Sequence, residues 1–116
     1  MYSVTEAFVS HLLALGYDAY ANVPADPPTE FVTVERTGGA VTDLVDHPSL
    51  AIQCWAATDG AAERLANSVR AQIVTGARPF GVTRIDVNSG PYRFYDEYTR
   101  CPRYQMALDA TCQLTD

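Results

Sequence analysis

The sequence predicts an α+β domain: a largely antiparallel sheet of four to five strands with two helices on one face, in the order α-β-β-β-α-β-β. Three observations predict it. From Ser49 to Val74, Leu50, Ile52, Cys54 and Ala56 alternate with Ala51, Gln53, Trp55 and Ala57, and the run then passes into Ala62, Leu65, Ala66, Val69 and Ile73 at helical spacing. From Arg103 to Leu114, residues Tyr104, Met106, Leu108, Ala110, Cys112 and Leu114 alternate with Gln105, Ala107, Asp109, Thr111 and Gln113. The 116-residue chain, 47% apolar and 19% charged, has room for one hydrophobic core and not two, so a single domain over 1–116 is expected.

The elements follow in order. Ser3 and Glu6 have the S-x-x-E spacing of a capping box, and Ala7, Phe8, Leu12 and Leu15 make one helical side that Gly16 ends. Tyr17 to Val23 reads as a first strand, stopped by Pro24, Pro27 and Pro28, which have no ladder donors. Phe31 to Thr37 is a second, closed by Gly38-Gly39. The short apolar pattern from Ala40 to Pro48 suggests a protruding β-hairpin arm, after which the central strand begins at Ser49. Asp59 is the expected N-cap of the second helix, because its carboxylate can accept the free N–H groups of the first turn. Gly81 to Asn88 alternates as a fourth strand, which Tyr92, Phe94 and Tyr95 extend. The long final strand invites pairing from a neighbouring subunit if it lies at an edge.

Charge and chemistry exclude several classes. All eight positive charges are arginine, and a net charge of −6 argues against a broad nucleic-acid or anionic-membrane surface. No run approaches the ~20 apolar residues of a membrane helix. The N-terminus reads as an amphipathic helix and not as a basic segment followed by an apolar run, so Cys54, Cys101 and Cys112, with no CxxC spacing, are expected as reduced thiols. His47 lies near Cys54, but that cysteine shares a strand face with Leu50 and Ile52, and a catalytic thiolate needs an exposed electropositive setting. His11 and His47 are far apart and without metal-ligand spacing, so neither a metal site nor a cofactor is expected. Gly38-Gly39 opens no helix and makes no phosphate loop.

The sequence resembles the tail terminator proteins of long-tailed phages, also described as minor tail or head-tail joining proteins, particularly those of actinobacterial hosts. The resemblance lies in V-x-V-x-R-T-G-G at Val32–Gly39, the strand-to-helix run from Ser49 through Leu65 to Val69, G-P-x-R-x-x-D at Gly90–Asp96, and R-Y-Q at Arg103–Gln105. It implies a non-enzymatic virion protein at the head-tail junction, assembled in the bacterial host cytoplasm. Its partners would be other copies of itself in a ring, usually of six, the tail tube protein, a head-completion protein, and DNA crossing the lumen without specific binding. The absence of lysine is compatible with DNA sliding past, since Lys and Arg phosphate contacts supply most non-specific affinity.

Head-to-tail contacts would close such a ring. The segments expected to make them are the arm from Gly38 to Pro48 and Pro91 to Arg103, with Arg36, Arg100 and Arg103 paired across subunits to Asp43, Asp46 or Asp96. Gly38, Gly39, Tyr92 and Tyr95 belong to the same candidate surface. Trp55 allows two readings: a strand buried on both sides, or an aromatic facing a partner. The aromatic and arginine-rich stretch also allows two, a protein–protein hot spot or a loop packing on its own domain. Rival functions are another neck component, adaptor or stopper, and a small enzyme or ligand-binding domain with a concave pocket.

Overall fold

The computed structural model describes residues 2–94 and 101–113 and has an α+β fold. Ser3 Oγ accepts the Glu6 N–H at 3.2 Å and opens helix α1 (Val4–Ala14), as the spacing predicts. Its buried face is Val4, Phe8 and Leu12. Leu15, expected on that face, is the C-cap and 41% exposed, because the chain turns away at Gly16, whose φ of 97° favours glycine.

The first strand is shorter than expected. Strand β1 holds only Ala19–Tyr20, since the Tyr17 N–H is spent on Leu12 O at the helix end and Val23 already leads into the proline-rich connection. It pairs in parallel with β2 (Phe31–Thr42), Ala19 opposite Val32, so the sheet is mixed at this one pair. Strand β2 runs five residues past the expected end, because a register shift between Arg36 and Gly38 absorbs Thr37 and lets the ladder resume. A two-residue turn at Asp43-Leu44, with Asp43 at φ 53°, leads into β3 (Val45–Trp55).

Helix α2 (Asp59–Thr75) is capped by Thr58 and not by Asp59: Thr58 is extended, and its Oγ1 accepts the Ala61 N–H at 3.1 Å. Asp59 instead supplies negative charge in the first turn. Strands β4 (Val82–Arg93) and β5 (Arg103–Gln113) then complete the sheet in the order β1-β2-β3-β5-β4. The final strand is therefore interior, and β4 takes the edge. A register shift between Val82 and Arg84 alters the expected alternation, so Val82, Ile85 and Val87 all turn toward the core.

Both helices cover one face, α1 lying against β2 and α2 against β3, β4 and β5, and Phe8, Leu12, Ala66, Val69 and Ile73 share one core with Val32, Val34, Ile52, Met106 and Leu108. Cys54 and Cys112 are fully buried in this core, the role expected of them. No described helix is long and apolar enough to cross a membrane.

Candidate assembly surfaces

The β2–β3 arm is braced and not free-standing. Val45 and Asp46 pair with Gln113 and Cys112, so β5 supports β3 almost to the turn, and only the outer edge of β2 lies open. At its base Arg36 makes a two-pronged ion pair with Asp46, Nη1 to Oδ2 at 2.6 Å and Nη2 to Oδ1 at 2.8 Å. The pairing expected across subunits is thus made within one chain, because the hairpin register sets both side chains on the helix side of adjacent strands. The hydrogen bonds from Arg36 hold the Asp46 carboxyl below its ordinary range despite burial, and Asp46 in turn raises the guanidinium. Beside them the Tyr2 hydroxyl donates to Phe80 O at 2.6 Å; burial disfavours the ionised forms of Tyr2 and of neighbouring Cys112 and pushes both pKa values up. Gly39, at φ 103°, has no room for a Cβ, which would meet the His47 carbonyl and Pro48, whereas Gly38 has open space.

Across the opposite face runs a row of rings. Tyr20 meets Phe31 edge-on at 6.2 Å, Phe31 stacks on Trp55 at 5.4 Å, and the Arg103 guanidinium lies 4.5 Å from the Trp55 ring and 4.0 Å from the Phe94 ring. Trp55 is buried in its own chain. The next rung is polar. Trp55 Nε1 donates to Thr33 Oγ1, Thr33 to Gln53 Oε1 at 2.6 Å, Gln53 to Glu35 and Gln105, and Gln105 to the Tyr92 hydroxyl. This ladder satisfies Thr33 and Gln53, which are buried although both helices lie on the other face. Farther along, Asp109 accepts from Asn88 and Ser49, which lowers its carboxyl.

The two segments expected to make contacts lie at opposite edges of the sheet: the arm on β2, and Tyr92 on β4. Tyr95, Asp96 and Arg100 lie outside the described residues. Asp43 sits exposed in the arm's turn, between exposed Val41 and Leu44. Pattern reading missed a groove beside the β4 edge, of about 430 Å³, floored by Ile73, Ile85 and Val87 and bordered by Val74, Arg70 and Arg78. Its signal was faint: a lone Val74 off the α2 stripe, with Arg70 one turn before it and Arg78 past the end of the helix.

The Cys/His pair is separated by the pleat. His47 and Cys54 stand on opposite faces of β3, seven residues or roughly 23 Å apart along the strand. Burial pushes the Cys54 thiol up to about 12. Among the described residues no three His, Cys, Asp or Glu side chains gather as a metal site. No family model matches the chain, and no curated protein matches it.

Proposed function

We propose that this chain is a structural protein of a phage virion, a tail terminator whose head-to-tail ring caps the tail tube, stops its polymerisation and presents a surface for head joining. The sequence resemblance supports the class. The observation that carries the mechanism is that the arm on β2 and the free edge of β4 lie on opposite sides of one sheet. A patch at one edge that fits the other generates heterologous contacts, and these close into a ring when the rotation fits. A ring so built has two unlike ends, and growth stops because only one of them matches the tube.

The test is negative-stain microscopy of the purified protein mixed with polymerising tail-tube protein, with tube lengths scored against tube protein alone. Rings seated at tube ends with arrested growth are expected. Binding to portal or adaptor complexes and not to tubes would replace the reading with another neck component. Binding to neither would return the enzyme or ligand-binding reading.

A further inference from the structure

Among the described residues the sheet leaves two stretches of backbone unpaired, and their heights match. On one side β1 covers β2 only at Val32 and Thr33, so β2 is open from Glu35 to Thr42. On the other, β4 has no neighbour beyond β5 among the described residues. Following the ladders across, Glu35 leads through Ala51 and Ala107 to Ser89; Gly38 leads through Ser49 and Asp109 to Asp86; Val41 leads through Asp46 and Cys112 to Val82. The free part of β2 and the Val82–Ser89 part of β4 therefore occupy the same rows. The rows of Tyr92 and Arg93 are those where β1 already covers β2, and Pro91, just before them, has no N–H to offer.

Direction and facing agree as well. Strand β2 is antiparallel to β3, β3 to β5 and β5 to β4, so β2 and β4 run oppositely. Rotating a copy until its β2 lies beside β4 continues the antiparallel alternation and keeps the helix side on the helix side. Val41, opposite Asp46 on the helix side and 55% exposed, then stands in the row of Val82, one diagonal step from Ile85 at the near end of the groove lined by Ile73, Val74, Ile85 and Val87. Charge agrees too. Arg70 and Arg78 on the groove form no ion pair among the described residues, nor does Asp43 in the arm's turn.

We infer that the free edge of β4, with the groove behind it, is the docking site for the Glu35–Thr42 edge of a second copy of this chain, added as an antiparallel strand with Val41 beside Val82 at the end of the groove and Asp43 toward Arg78. Backbone hydrogen bonds hold the register of such strand addition, and side chains alternating into the groove select the partner. Burying both edges also removes the liability that two long unpaired strands carry. The inference rests on the ring reading and names its contact.

The test is amide hydrogen exchange and sedimentation velocity on the purified chain alone, from low micromolar to on the order of 1 mM. Association that slows exchange in both 35–42 and 82–89 is expected, and Val41→Asp or Arg78→Glu, both at exposed positions, should weaken it roughly tenfold or more. Two results overturn the inference: no association across that range, or association that protects other segments and ignores both substitutions. Association through these edges by a protein that leaves tube length unchanged keeps this contact and sinks the terminator reading. Capped tubes whose rings leave 35–42 and 82–89 unprotected do the reverse.

Discussion

The Arg36–Asp46 pair is the sharpest quantitative test of the arm. Asp46 has 7% of its side chain exposed and Arg36 33%, so the two ends of the bridge are not equivalent. Arg36→Met keeps the aliphatic stem and strands the carboxylate; breaking a buried pair costs roughly 3–5 kcal/mol, and the lower end applies because water can reach the guanidinium's place, giving about 3 kcal/mol. Asp46→Asn leaves an arginine that can turn to solvent, and the loss is about 1.5 kcal/mol. The double variant should cost about as much as Arg36→Met alone, which is a coupling of about 1.5 kcal/mol. Urea unfolding read by the single tryptophan, Trp55, measures all four corners at a concentration where the chain is monomeric. The melting temperature of Arg36→Met should fall by roughly 10 °C.

The pH dependence has a definite sign. The folded Asp46 carboxyl ionises below its unfolded value, so its contribution is complete above about pH 4 and is lost as the pH falls through the lower, folded value. The gap between the native chain and Arg36→Met should therefore narrow in acid. A coupling below about 0.3 kcal/mol in the monomer would refute the intrachain bridge and return Arg36 to a partner subunit.

The other predictions concern single positions. Gly39→Ala should destabilise by at least ~1–2 kcal/mol, from its positive φ and the collision with the next strand, while Gly38→Ala should change stability by less than ~1 kcal/mol; thermal unfolding of the two separates a backbone requirement from mere turn composition. In the native protein a thiol reagent should label Cys101 and spare Cys54 and Cys112, with all three labelled after denaturation, and mass spectrometry counts the adducts. Thr58→Ala should cost about 1 kcal/mol and Asp59→Ala less, since only the first removes the bond to the Ala61 N–H; denaturant midpoints give the ranking.

Local patterns made much of the fold legible. The Ser3 cap, the α2 stripe, and the alternation of Leu50, Ile52 and Cys54 or of Met106, Leu108, Ala110 and Cys112 needed nothing distant, because a helix or strand shows its buried face at its own period. Errors fell where one residue changes a face or an end. The shift at Thr37 lengthened β2, the shift after Val82 brought Ile85 and Val87 inward, and Thr58 displaced Asp59 because only one of two adjacent residues can hold the extended cap conformation. Of the candidate surface, composition singled out the segments and could not give their relations. Arg36 and Asp46 are ten residues apart and meet only through the hairpin register, as Trp55, Arg103 and Phe94 meet only through strand order.

By itself the sequence determined which segments are strands or helices and which faces they bury, since these depend on neighbours a few residues away. Tertiary structure alone decided that the last strand is interior, that β4 and the outer half of β2 are the open edges, and that these edges stand at equal height. Such facts depend on which strands lie side by side, a choice made by long-range packing that no local period records.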